Sequence, residues 1–362
     1  MKIKKNQILT IDKYINEALY NNKFGYYIKN NPFGKNGDYI TSPNISIFFS
    51  EMIAIWIISF WQNLKCPKKF NLIELGAGNG EMMKQILNTF DKFPSFKTSC
   101  KVHILEKNGY LKNIQKQNLK KKNIKWLKNL NKLSNKPNIF VANEFFDALP
   151  IKQFIKKNKN WYERNVKFSK INEPEFIDIL TNIKKLEKKI GFKISHKQKF
   201  IEFSPLTIKY LKLISKKIKF NEGGLLIIDY GYLDKNMKNT LQSISNHKYN
   251  NVLDNFGKAD ITYGINFKLI EKIVKKFDLK VIGVTSQKKF LTNLGILNRA
   301  EIVSKNLPFS KKADIYFRIK RLIDKDTMGE LFKVMLATKQ NSKFQTGFEN
   351  WLNQKNFQKL KK

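Results

Sequence analysis

The 362-residue sequence predicts a doubly wound α/β domain with a mostly parallel seven-stranded sheet, an N-terminal helical arm and an insertion. Three observations predict it. Short apolar runs alternate with segments of helical period, the pattern of a parallel sheet covered on both faces. One of those runs opens directly into a glycine-rich turn. Two others end in polar residues, Glu106 and the pair Asn143–Glu144, at the edge where open sheets hold their ligands.

The elements follow in order. A helix is expected over about Ile11 to Tyr20, then a loop from Gly25 to Pro43 that is dense in glycine, proline and asparagine. Ile45 to Trp61 carries apolar residues at helical spacing. Phe70 to Leu75 reads as a buried strand, followed by a turn and a helix from about Glu81 to Phe90. Val102 to Leu105, Ile124 to Leu127, Asn138 to Ala142 and Leu225 to Asp229 supply four more strands. Leu279 to Val284 and Phe332 to Ala337 close the sheet. A hairpin over Gln153 to Phe168 and a lysine-rich stretch, Lys184 to Lys199, fill the gap before the fifth strand. One core domain results. Residues 1–65 form the helical arm and lid loop, 66–150 the first half of a Rossmann-like domain and 151–222 the insertion. Residues 223–340 form the second half with helical additions, and 341–362 a basic tail.

The net charge of +40 suggests a polyanion-binding surface, yet only four of the 69 basic residues are arginine. Arginine clamps phosphates and reads base edges bidentately. Lysine here is inflated along the whole chain, so the charge reads as a solvated surface and nucleic acid is not the expected partner. Cys66 and Cys100 show no metal-ligand spacing, His103, His196 and His247 are scattered, and no metal is expected. No window is long and apolar enough to span a bilayer. Asp12 and Glu17 interrupt any amphipathic targeting pattern at the N-terminus, which leads us to expect a cytoplasmic protein. The sequence sets no oligomeric state.

The strongest local signal is NLIELGAGNG, Asn71 to Gly80. The strand ends at Glu74, and Gly76, Gly78 and Gly80 follow. Without Cβ atoms they let the backbone turn tightly and approach a ligand. A dinucleotide fingerprint needs its third glycine where Glu81 stands, so the spacing excludes that reading. It matches instead the E/D-x-G-x-G-x-G turn of class I methyltransferases. Glu106, ending the next strand, is placed to accept hydrogen bonds from ribose hydroxyls, against the alternative of a solvated strand end. S-adenosylmethionine is the expected cofactor.

NEFFDALP, Asn143 to Pro150, follows the fourth strand at the same edge. Asn143 and Glu144 offer an amide oxygen and a carboxylate beside two phenylalanines, a setting for an acceptor nitrogen. Methyl transfer is an in-line displacement, so alignment supplies much of its rate. Glu144 and Asp147 stand three apart on an expected helical start, which would face both into one pocket. The alternative is a helix N-terminal charge and a cap. Glu202 and Asp229 are further candidate carboxylates. Two carboxylates favour a cationic acceptor and repel phosphates. An RNA methyltransferase and a non-catalytic, cofactor-binding assembly factor are the rival readings.

These stretches resemble the MidA-like family, class I methyltransferases that include a mitochondrial complex I assembly protein with protein-arginine methyltransferase activity. The similar segments run almost end to end: GYY, GDYITSP, ISIFFSEMIAIW, ELGAGNG, VHILEKNGYLKNIQKQNL, ANEFFDALPIKQF, WYERNV, LLIIDYG, GKADITYGINF and MGELFKVM. The family usually has proline and arginine where Ala77 and Asn79 stand, and E-x-S-P where Glu106 to Gly109 stands. The resemblance implies S-adenosylmethionine held by the glycine turn and Glu106. It places the arm residues Asp38, Thr41 and Ser42 at the border of that pocket. It further implies a protein arginine acceptor, with a complex I subunit as the substrate partner.

Overall fold

A computed structural model describes residues 6–29, 41–120, 122–170, 173–245 and 248–349. These divide into two compact units. The larger takes its described residues from Ile40–Glu144, Leu213–Gly231 and Glu271–Lys362. The smaller takes them from Met1–Tyr39, Phe145–Lys212 and Tyr232–Ile270.

The larger unit is built on seven strands: β1 (Phe70–Leu75), β2 (Cys100–Leu105), β3 (Ile124–Leu127), β4 (Asn138–Asn143), β5 (Gly223–Tyr232), β6 (Lys280–Ser286) and β7 (Phe332–Thr338). Their order across the sheet is β3-β2-β1-β4-β5-β7-β6. Strands β1 to β5 pair in parallel, with Glu74 beside Ile104 on one side and Val141 on the other. The last strand runs against both of its neighbours, β5 and β6, so the sheet is mixed. The sequence did not show this reversal. A strand buried on both faces is a continuous apolar run whichever way it points.

The centre of the sheet is dry. Every residue of β1 and β4 is buried. Helix α1 (Ile47–Asn63) packs here and is apolar nearly all round, with most of its residues buried and Ile47 and Ile55 exposed. Ser46 starts it by accepting a hydrogen bond from the Phe48 N–H at 3.3 Å. The fully buried Trp56 and Phe60 stack at 5.2 Å, and Phe60 lies so near Gly224 of β5 that a Cβ there would meet its Cζ at 2.7 Å. Burying a ring of this kind stabilises by about 2–3 kcal/mol. Helix α2 (Glu81–Phe90) follows β1 and helix α3 (Gly109–Asn118) follows β2.

The smaller unit has its own sheet. The expected hairpin is present as Lys152–Lys157 paired antiparallel with Asn160–Lys170. Residues Gln7–Thr10 add a strand to that hairpin, pairing with Asn165 to Phe168. The front of the arm, the insertion and part of the segment after β5 therefore fold as one body. Boundaries at 65, 150 and 222 do not describe this arrangement, because the pairing joins segments that lie far apart in sequence. Helix Ile11–Tyr20 buries Ile11, Tyr14, Ile15, Ala18 and Leu19 within the same unit. Among the described residues no helix is long and apolar enough to cross a membrane.

Candidate cofactor and acceptor site

Glu74, the glycine turn, Glu106 and Asn143–Glu144 are positioned at the carboxyl ends of strands of the larger unit. Beyond Leu75 the chain turns through Gly76, Gly78 and Gly80 at φ of 66°, 53° and 85°. This left-handed region is comfortable only for glycine. The Gly76 N–H donates to the Leu105 carbonyl at 3.0 Å, tying the turn to β2, and the Asn79 Oδ1 accepts from the Glu81 N–H at 3.1 Å as α2 begins.

Glu74 is buried, and its Oε2 has no hydrogen-bond partner. Burial, reinforced by the nearby Glu106 carboxylate, pushes its pKa up to about 8. An enclosed acceptor of this kind suits a donor brought by a ligand. Glu106 is better satisfied. Its Oε1 accepts from the Asn108 N–H at 2.9 Å and its Oε2 from the Gln115 amide at 3.0 Å. Burial still holds its pKa above the ordinary carboxylate value, against the opposing hydrogen bonds.

At the end of β4, Glu144 sits at φ 50°, a left-handed position that costs a side-chain-bearing residue about 1–3 kcal/mol. Its N–H is held by the Ile228 carbonyl at 2.9 Å. Its carboxylate accepts from the Asn143 amide at 3.1 Å and from the Ser42 N–H. Burial raises its pKa to about 7. The neighbouring Asn143 Oδ1 is buried without a partner. The expected helical start at Glu144 is absent, because a residue at positive φ cannot open a right-handed helix. The chain bends and turns instead, with the Leu149 N–H donating to the Phe146 carbonyl at 3.2 Å. Asp147 belongs to the smaller unit, where its carbonyl accepts from the Tyr263 N–H at 3.3 Å.

The two further carboxylates part company. Glu202 is in the smaller unit, bound by the Gln153 amide at 2.6 Å and by the N–H and hydroxyl of Thr240, so it fastens a loop. Asp229 is buried in β5 and accepts from the Tyr230 N–H at 3.0 Å. In the arm, the Thr41 hydroxyl accepts from the Asn44 amide at 2.8 Å. The Ser42 hydroxyl points at the Gln287 Oε1, 3.5 Å away. Asp38, and most of the lid loop, lie outside the described residues.

Comparison with known proteins gives this geometry a family. Residues 52–285, more than half of the chain, match the model of a family of S-adenosyl-L-methionine-dependent methyltransferases. The chain belongs to that family. It is an S-adenosylmethionine-dependent methyltransferase of the MidA-like kind. Its relatives include the mitochondrial protein arginine methyltransferase NDUFAF7 of Xenopus laevis, 28% identical over 92% of this chain and 81% of that one. The human protein of the same name is 28% identical, over 91% and 80%. A structure from Burkholderia thailandensis, solved with S-adenosyl-homocysteine bound, has the same fold. Its TM-score is 0.76 at 21% identity, over 95% of this chain and 89% of that one.

The expectation of a cytoplasmic protein does not stand, since these relatives are named as mitochondrial. The two residues that argued for it have a structural part. Asp12 pairs with Lys152 at 3.1 Å and Glu17 accepts from Asn21 at 2.6 Å, on a helix packed into the methyltransferase's smaller unit. Sequence reasoning placed Ser42 at the border of the cofactor pocket and did not show that its backbone N–H holds Glu144. Gln115 went unnoticed, although Leu111, Gln115 and Leu119 mark one buried helical face with an amide in its middle.

Proposed function

We propose that this methyltransferase modifies the guanidinium of a protein arginine, with Glu144 and Asn143 as the acceptor-binding pair. The observation that carries the proposal is the juxtaposition at the end of β4. A carboxylate fixed by the Ser42 N–H and the Asn143 amide stands beside an enclosed amide oxygen that lacks a donor. A guanidinium has five donors and no acceptor, so it complements two acceptors set side by side. The relatives' names support the same acceptor. By the family resemblance, the substrate is a subunit of respiratory complex I. Asp147 is left out, because the helical spacing that paired it with Glu144 is absent.

Glu74, the turn of Gly76, Gly78 and Gly80, and Glu106 are assigned to the cofactor, with Thr41 and Ser42 at the border. The enclosed, unpaired Glu74 oxygen and the three left-handed glycines fit an adenosyl amino acid. When bound, S-adenosylmethionine supplies an electrophilic methyl group on a sulfonium. The protein's part is alignment. Glu144 and Asn143 would hold and orient one guanidinium nitrogen for alkylation, and the Glu144 carboxylate would take the proton that nitrogen releases.

Labelled-methyl transfer into a mitochondrial lysate, followed by mass spectrometry of the product, tests the assignment. The methyl is expected on arginine. Its appearance on lysine or on RNA refutes the acceptor, and absence of any transfer favours a non-catalytic assembly factor.

A further inference from the structure

We propose that Gln115 is the positioning residue for ribose recognition, locking Glu106 to the glycine turn; the proposal rests on the cofactor assignment above. Gln115 is fully buried on α3. One N–H of its amide donates to the Glu106 Oε2 at 3.0 Å and the other to the Gly78 carbonyl at 2.9 Å. Its oxygen accepts from the Trp126 indole N–H on β3 at 2.9 Å. The turn after β1, the end of β2 and strand β3 thus meet on one side chain.

The chemistry of the partners fixes its orientation. An indole N–H only donates and a carbonyl oxygen only accepts, so the amide has one arrangement that satisfies both. In that arrangement its NH2 must face Glu106 and Gly78. The Gln115 amide holds Oε2 and the Asn108 N–H holds Oε1, with the Lys107 N–H adding a further hydrogen bond to the same carboxylate. A carboxylate gripped in this way presents its remaining acceptor direction to a ribose hydroxyl in a fixed orientation. Gly78 is one of the three residues whose positive φ shapes the turn, and tying its carbonyl to the same amide couples the turn to the acid.

Gln115→Leu keeps the bulk and removes every one of these bonds. The probes are S-adenosylhomocysteine and its 2′-deoxyribose analogue, titrated calorimetrically into the full-length protein. The wild type is expected to prefer the ribose ligand. Gln115→Leu is expected to bind it about 10- to 100-fold more weakly, the range for losing a hydrogen bond to a charged group, while the deoxy analogue weakens little. The preference therefore collapses, and being a ratio measured on one folded population it does not report a general loss of folding. If both ligands weaken together, Gln115 only fills space and the proposal falls. If the preference survives, it falls as well. A wild type that binds neither ligand overturns the cofactor assignment along with it. Should Gln115→Leu fail to fold, Trp126→Phe removes only the orienting donor. It is expected to narrow the preference about two- to tenfold, and an unchanged preference there refutes the idea.

Discussion

Replacing Glu74 with glutamine should make the protein without cofactor more stable at neutral pH and leave it nearly unchanged in acid. Glu74 has its pKa raised from 4.5 to about 8 by burial and by Glu106. The folded state therefore binds a proton that the unfolded chain has released at any pH between those values. Stability from this group is fully present below pH 4.5 and is lost as pH rises toward 8, at up to about 1.4 kcal/mol per unit. Between pH 5 and pH 7 the loss amounts to roughly 2–3 kcal/mol. Glutamine keeps the shape and never ionises, so the variant lacks this slope. Glu144 and Glu202, both raised to about 7, tilt wild type and variant alike and cancel in the difference. Urea unfolding followed by tryptophan fluorescence, which Trp56, Trp61 and Trp126 report from the larger unit, gives the comparison at the two pH values. A stability gap that does not change between pH 5 and pH 7 shows that Glu74 is ionised before the cofactor arrives, and refutes the reasoning. The same substitution should weaken S-adenosylmethionine, because it replaces one of the two acceptor oxygens of Glu74 with a donor.

Three further outcomes are expected. Gly78→Val places a β-branched side chain at φ 53° in the turn and should abolish cofactor binding by calorimetry on a folded variant; unchanged affinity removes the cofactor assignment. Glu106→Ala should weaken the cofactor by about 1.5–3 kcal/mol. It should also lower stability without ligand by about 1–2 kcal/mol, since the Asn108 N–H and the Gln115 amide lose an acceptor. Glu144→Gln should keep cofactor affinity and lose arginine methylation. In the wild type, methylation should rise with pH through about 7 as Glu144 loses its proton, and a pH-independent rate would exclude it as proton acceptor.

Much of this protein was legible in the sequence because the signals are local. Asn71 to Gly80 shows its strand and turn through the need for three residues without Cβ atoms. Glu106 and Asn143–Glu144 were placed at the ligand edge by strand ends alone. The expected seven apolar runs are the seven strands of the larger unit, each within three residues at its ends. These features depend on neighbours in the chain, and composition and period encode them directly.

What only the tertiary structure decided depends on contacts across the sequence. The antiparallel course of β7 follows from its seat between β5 and β6, which a buried apolar run does not reveal. The pairing of Gln7–Thr10 with Asn165 to Phe168 joined the arm to the insertion, and gave Asp12 and Glu17 partners, Lys152 and Asn21, that the sequence did not show. Positive φ at Glu144 replaced the expected helix, with the Ile228 carbonyl on the adjacent strand holding its N–H. Gln115 reads in sequence as one amide among many. Its part is set by Glu106, Gly78 and Trp126, which meet around it only when the sheet has formed.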